Sequence, residues 1–201
     1  GAGISTASED AYRFYLIGME RNDNMDVERA AEYFEKAVQI DPSYALAHHE
    51  LGMAYLTLNK QAAAREAYGK ALKSADRASA KDRLNIAASH AQWVERDGNK
   101  AVALREDILR KYPDDKRNLF SLGFIYFHQG KLAEAENAFE TCLGLDPDFS
   151  QAANHLGGVY LELGEFEKAV EATKSYIALT PREPNGWDSL GIVYARMGKI
   201  E

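Results

Sequence analysis

The run Leu122-Gly123-Phe124-Ile125-Tyr126 opens a passage, LGFIYFHQGKLAEAENAFETCLGLDP over residues 122–147, whose landmarks return at a fixed distance along the chain. Leu156-Gly157-x-x-Tyr160 repeats the first landmark 34 residues on, and Leu190-Gly191-x-x-Tyr194 repeats it again. Leu51-Gly52-x-x-Tyr55 stands 71 residues before Leu122, two periods plus three. Each complete copy continues into a second landmark: Ala64 then Tyr68, Ala135 then Phe139, Ala169 then Thr173. Asp146-Pro147 and Thr180-Pro181 close two of the copies. An earlier copy runs from Ala11 through Ile17-Gly18, Ala30, Phe34 and Ala37 to Asp41-Pro42.

Apolar residues within each copy recur at three- and four-residue spacing, which is helical and not strand-like. Glycine at the eighth position lets two helices approach closely, and the small residue at the twentieth does the same from the other helix. The aromatic near position 24 fills the gap between hairpins. Proline at position 32 stops the second helix, because it lacks the backbone N–H and restricts the residue before it. The turns inside the hairpins carry Gly130-Lys131, Gly164-Glu165 and Gly198-Lys199. The second copy uses Asn59-Lys60, and asparagine also tolerates a left-handed turn.

The Leu-Gly-x2-Tyr, Ala-x3-Phe and Pro positions together resemble the tetratricopeptide repeat, over nearly the whole chain. The resemblance implies an all-α fold, a right-handed α-solenoid of antiparallel helix hairpins. It places a single domain at 11–201, with units at 11–44, 45–78, 82–115, 116–149, 150–183 and a half unit at 184–201. Residues 79–81 read as a short insertion. Residues 1–10 form an N-terminal segment, and Gly1-Ala2-Gly3 reads as a tag remnant rather than a targeting signal.

The pattern breaks twice. In the third unit Ala101, Ile108 and Pro113 keep register, but the Leu-Gly landmark is missing and Gly98 lies two residues too close to the next helix. Ser79-x-x-Asp82 has the form of a helix cap. Two registers fit Asn85 to Val94, so the faces of His90 and Trp93 stay open. The sixth unit stops after one helix, and Leu190, Ile192 and Val193 do not make the polar cap that ends a repeat array. The chain therefore reads as a fragment of a longer protein, and the unfinished unit offers a route to self-association. A weaker resemblance runs through Glu9-Asp10-Ala11-Tyr12 and from Lys81-Asp82-Arg83 to Tyr112-Pro113-Asp114-Asp115. It is to the repeat modules of microbial kinases, adenylate cyclases and winged-helix regulators.

Composition narrows the function. The net charge of −7 spreads Lys and Arg among an excess of Asp and Glu, against the basic stripe that nucleic acid or an anionic membrane requires. No apolar run approaches the roughly 20 residues of a membrane span. The single cysteine, Cys142, cannot form an internal disulfide and falls at a small-residue core position. The expected compartment is cytoplasmic. His48-His49-Glu50 lacks the second histidine of a metal-binding helix, and His49, His90, His128 and His155 lie in different copies. Gly157-Gly158 lies within a helix without a phosphate-binding pattern. No carboxylate pair is singled out for acid–base work. Neither enzyme chemistry, nor a cofactor, nor a metal is expected.

The resemblance also implies that successive first helices line a concave groove through positions 2, 5, 9, 12 and 13. Carried onto this sequence, these are Tyr12, Tyr15 and Met19 in the first copy, and Leu46, His49, Met53 and Leu56 in the second. The fourth copy supplies Arg117, Phe120, Phe124, Phe127 and His128. The fifth supplies Gln151, Asn154, Leu161 and Glu162, and the sixth Asn185, Asp188 and Arg196. Phe120, Phe124 and Phe127 form an i, i+4, i+7 stripe beyond the structural positions of their helix. A helix apolar on two faces buries both. Either the stripe packs on neighbouring first helices, or it floors a site for an apolar peptide or partner helix, with Asn154 at its side. The carboxylate clamp of chaperone-binding relatives is not reproduced, since Ser121 stands where the partner of Arg117 would carry an arginine. The expected function is a non-catalytic protein–protein scaffold binding a peptide or helix in an aromatic groove. The alternative is a regulatory or substrate-docking arm of a signalling enzyme whose catalytic domain lies outside the chain.

Overall fold

A computed structural model describes residues 6–23 and 26–198. The tag remnant at Gly1-Ala2-Gly3 and Lys199 of the last turn lie outside the described residues. Among the described residues there are eleven α-helices and no strand. They are α1 (Glu9–Asp23), α2 (Val27–Ile40), α3 (Ala45–Thr57), α4 (Gln61–Lys73), α5 (Ala80–His90) and α6 (Gly98–Lys111). The series continues with α7 (Lys116–His128), α8 (Leu132–Leu145), α9 (Ser150–Leu163), α10 (Phe166–Leu179) and α11 (Pro184–Arg196). The all-α class of helical hairpins expected from the repeat is the observed one. The helices divide into two compact units, Gly1–Ile108 and Leu109–Glu201.

In both units the hairpin is organised by one couple sixteen residues apart. In the first unit, a Cβ on Gly18 would stand 2.6 Å from the Phe34 ring, and one on Gly52 would stand 2.9 Å from Tyr68. In the second unit, a Cβ on Gly123 would stand 2.8 Å from Phe139. Contacts that short do not occur between real atoms, so the ring requires glycine beneath it. Phe34, Tyr68 and Phe139 are all fully buried. The ring therefore lies first within its own hairpin, on the glycine of the partner helix, rather than only in the gap between hairpins. Hairpins are joined by a second recurring contact. Tyr55 donates its hydroxyl to Glu35 at 2.7 Å in the first unit, and Tyr160 donates to Glu140 at 2.8 Å in the second.

The turns follow the sequence closely. Gly130, Gly164, Gly198 and Asn59 all have positive φ. Before each inter-hairpin proline the helix stops, and the carbonyl of residue 41, 112, 146 or 180 accepts from the N–H three residues on. The Asp41 and Asp146 carboxylates also take the N–H two residues ahead, at 2.9 and 3.2 Å.

The third hairpin shows how its register is kept without the landmark. Ser89 and Arg105, also sixteen residues apart, stand where the other copies have glycine and ring. Both are buried, and Arg105 donates to Ser89 Oγ at 3.5 Å and to Gln92 Oε1 at 3.4 Å. This settles the open register of residues 85–94. His90 then falls one place after the crossing residue, half-buried, with Nδ1 3.2 Å from a Glu95 carboxylate oxygen. Beyond it Ala91–Glu95 widens into a π-turn that absorbs an extra residue. The left-handed residue of this turn is Arg96, at φ 59°. Gly98 lies instead at the start of α6, whose first turn is held by Asp97 accepting from Lys100 N–H at 2.9 Å. Ser79 caps α5, accepting from Asp82 N–H at 3.1 Å. Because that cap starts the helix at Ala80, only Ser79 of the 79–81 insertion is outside α5, and the extra length is taken up by a 3₁₀ turn at Ala75–Arg77.

A side chain with a Cβ in the left-handed region costs roughly 1–2 kcal/mol, which glycine avoids. Arg96→Gly is therefore expected to stabilise the first unit by about 1 kcal/mol, after allowance for glycine's larger entropy loss. The urea midpoint of the variant, compared at equal slope, checks this. An unchanged or lower midpoint would show that the Arg96 side chain offsets its own strain.

The last helix is more amphipathic than its sequence suggests. Leu190 and Val193 turn inward and are buried, while Ile192 is 54% exposed and Trp187 60% exposed. The open apolar face expected at Leu190, Ile192 and Val193 is thus confined to Ile192 and a residue outside that set, Trp187. The reason is helical spacing: Gly186, Leu190 and Val193, four and three apart, share the buried face, while Trp187 and Ile192 fall to either side of it. No helix among the described residues is long and apolar enough to cross a membrane.

Candidate partner-binding site

The second unit gathers the aromatic stripe of α7 around one side chain of α9, His155. Asp115 caps α7 by accepting from Asn118 N–H at 3.1 Å, and so sets the helix that carries the stripe. From it Phe120 and Phe124 each reach a ring-centre distance of 5.4 Å from His155, and Phe127 reaches 6.5 Å. Phe139 of α8 stacks on the imidazole at 5.6 Å with the planes only 14° apart. His128 closes the outer side, 4.3 Å from Phe124 and 5.6 Å from Phe127. Phe120, Phe124, Phe127 and His155 are half-buried, and His128 is exposed. The stripe packs partly on a neighbouring first helix and partly on its own hairpin, and keeps an accessible edge.

Burial in this apolar setting, with a smaller contribution from His128, pushes the His155 imidazole down to about 4. At neutral pH it is therefore an uncharged ring. That is the form that packs among phenylalanines without a desolvated charge. The sequence reading leaves His155 among the surface or groove histidines. Its place in the cluster depends on two hairpins, and a histidine at helical spacing carries no mark of that.

Position 5 of the repeat is occupied mostly by packing residues. Tyr15 lies between Phe34 and Tyr44, at 6.0 and 5.2 Å. Phe120 lies in the corresponding place between Phe139 and Phe149, at 5.8 and 5.4 Å. His49 lies 5.7 Å from the Tyr68 ring, with Nε2 2.9 Å from Ser89 Oγ. Of the remaining positions in the first unit, Tyr12, Met19, Leu46 and Leu56 are half-buried and Met53 is 43% exposed. In the second unit Arg117, Gln151, Asn185 and Asp188 are exposed. Glu162 and Arg196, both expected in the groove, pair with each other at 2.8 Å.

Asn154 is the exception at position 5. No aromatic of its own hairpin stands behind it, because Thr173 replaces the ring. Asn154, Thr173, Phe127, Leu161 and Ile192 line a half-open hollow of about 180 Å³ beside His155, floored by Gly157 and Gly158. The hollow is apolar on most sides, with amide and hydroxyl groups from Asn154 and Ser189. Such a surface suits burial of an apolar group beside a few polar contacts.

Reactive groups are placed otherwise. Cys142 is fully buried, its thiol donates to the Lys116 carbonyl at 3.4 Å, and burial pushes its pKa up to about 11. A thiol so placed is a core residue. Among the described residues, no three His, Cys, Asp or Glu side chains come together as a metal site would require.

Four family models, each described as tetratricopeptide repeat, match residues 11–44, 33–66, 86–141 and 126–191. No curated protein sequence matches the chain. Among solved structures, PilW, a widely conserved type IV pilus biogenesis factor, is 20% identical over 96% of this chain and 88% of its own, with a TM-score of 0.68. TTC0263, a thermophilic repeat protein of Thermus thermophilus, is 17% identical over 92% of this chain and 99% of its own, with a TM-score of 0.71. YrrB, described as having an unusual peptide-binding site, is 21% identical over 96% of this chain and 93% of its own, at 0.51. At these identities the likeness is one of fold.

Proposed function

Because the chain belongs to the tetratricopeptide repeat family, we propose that it is a non-catalytic scaffold whose second unit binds a peptide or partner helix on the face of α7 and α9. The observation that carries the reading is the accessible edge of Phe124, Phe127 and His128 next to a half-open hollow. Protein interfaces draw most of their energy from a few anchors, with aromatic side chains prominent among them. The peptide-binding site of the similar YrrB structure is consistent with this use of the fold. Binding here would be apolar burial with Asn154 oriented to bond a peptide backbone.

Phe124 is the position to test. Phe120 is unsuitable, since it holds Phe139, Phe149 and His155 in place and its loss would loosen the unit. A peptide selected by display on the wild-type chain is expected to weaken at least tenfold on Phe124→Ala and on Asn154→Ala, a loss of about 1.4 kcal/mol or more. Circular dichroism and the urea midpoint should show both variants folded. Unchanged affinity in two folded variants would refute binding on this face.

A further inference from the structure

The hollow beside His155 has a definite origin in the sequence. In Gly18/Phe34, Gly52/Tyr68 and Gly123/Phe139 the chain lays its own six-membered ring on the glycine sixteen residues before it. In the fifth copy the ring is Thr173, whose hydroxyl is spent on the Ala169 carbonyl at 2.7 Å. A Cβ on Gly157 would meet only that hydroxyl, at 2.8 Å, and then backbone at 3.6 Å. The side chain that elsewhere leans on the ring from position 5, as Tyr15 and Phe120 do, is here the shorter Asn154. Two substitutions in one hairpin thus empty the place that a ring fills elsewhere, and the space that results is about 180 Å³. A cavity of ~150 Å³ lined by apolar side chains is large enough to take benzene.

Resting on the reading that α7 and α9 form a binding face, we propose that this hollow is the anchor pocket for one aromatic side chain of the partner. The ligand ring lies beside Thr173, which itself covers Gly157, in the hollow between Phe127 and Ile192. The Phe127 ring already lies 3.7 Å from where a Cβ on Gly158 would stand, so it forms one wall without closing the hollow. Asn154 and Ser189 at the lining supply hydrogen-bonding groups, which favour a phenol over a plain phenyl ring. The amide and hydroxyl are the only side-chain polar groups of the lining apart from Thr173 and His155.

The test is to refill the pocket from within. Thr173→Phe restores the couple found in the other hairpins, so the variant is expected to fold with a Tm equal to or above that of the wild type. The probe is p-cresol, titrated into ¹⁵N-labelled protein. The wild type should show saturable shifts centred on the amides of Gly157, Gly158 and Ile192, and Thr173→Phe should show at least tenfold weaker binding. Shifts that persist in the variant, or no saturable shift in the wild type up to the solubility limit of the probe, overturn the pocket. Should Thr173→Phe fold poorly, Asn154→Phe closes the same space from position 5 and reads the same way. Partner binding separates this proposal from the one beneath it. A selected peptide that still binds Thr173→Phe but is lost on Phe124→Ala overturns the pocket and leaves the face. A peptide indifferent to both overturns the face as well.

Discussion

Phe139→Ala is expected to lower the stability of the second unit by about 3–5 kcal/mol, the range for emptying a fully buried phenylalanine site. The ring covers Gly123 across the hairpin, leans on Phe120 at 5.8 Å and stacks on His155 of the next hairpin at 5.6 Å. Its loss therefore leaves a cavity at the crossing of α7 and α8 and loosens the cluster that holds the proposed binding face. A double-mutant cycle isolates the couple. In the wild type Gly123→Ala drives a methyl group to 2.8 Å from the ring and must destabilise. In the Phe139→Ala background the clash is gone, and alanine's helix propensity should make the same change favourable by as much as about 1 kcal/mol. Urea unfolding of the four proteins reads both effects. A Gly123→Ala change that destabilises equally in the two backgrounds would mean that the glycine serves something other than the ring.

The same couple explains which parts of the molecule were legible in the sequence. The regular hairpins were readable because their steric requirement is carried by residue types with few substitutes. A glycine under a ring, a left-handed turn residue and a helix-stopping proline leave marks at fixed spacing. The third hairpin was not readable by those marks. Ser89 and Arg105 meet the same crossing by hydrogen bonding, with different residue types, and the π-turn at Ala91–Glu95 shifts the residues after it. Its register is recoverable only from the sixteen-residue separation, which becomes informative once the glycine–ring contact is known. Which apolar residues of the last helix lie open was not readable, for a simpler reason. Leu190, Ile192 and Val193 are equally apolar as letters, and only the direction of each on α11 separates the buried pair from the exposed one.

The candidate site was legible in part. Phe120, Phe124 and Phe127 are visible as a surplus of apolar residues on one helix, and Asn154 as a polar neighbour. What the stripe packs against was not, because His155 and Phe139 come from two other helices and carry no signature. The hollow is harder still to read. Thr173 is plain in the alignment of copies as the one small residue in the ring position. Its consequence is a volume, and a volume depends on whether neighbours collapse into the space. Asn154 is too short to do so, and Phe127 is held to one side by its contacts with His128 and His155.

Lowering the pH from 7 to 4 should cost the second unit up to about 3 kcal/mol through His155 alone, the value of a shift from 6.5 to about 4 at 1.36 kcal/mol per pKa unit. The sign follows from proton counting. Below pH 6.5 the imidazole is protonated in the unfolded chain but stays neutral in the folded one. The unfolded state therefore binds the extra proton, and stability falls with pH. The loss is absent above pH 6.5, accumulates between 6.5 and about 4, and levels off once the folded ring is charged as well. The figure is an upper one, because a half-buried ring keeps some solvent. The His128 imidazole beside it supplies the smaller part of that lowering. Carboxylates such as Asp146, held low by the Lys116 ammonium beside it, lose their own contribution only as the pH falls further, through and below the ordinary carboxylate range. The comparison that isolates His155 is therefore the difference between wild type and His155→Leu, taken from urea midpoints at pH 7 and pH 5. The wild type should lose more stability over that interval than the variant. The ¹³Cε1 resonance of His155 should titrate near pH 4. A midpoint near 6.5 would mean that the ring is open to water, and the aromatic cluster around it would have to be redrawn.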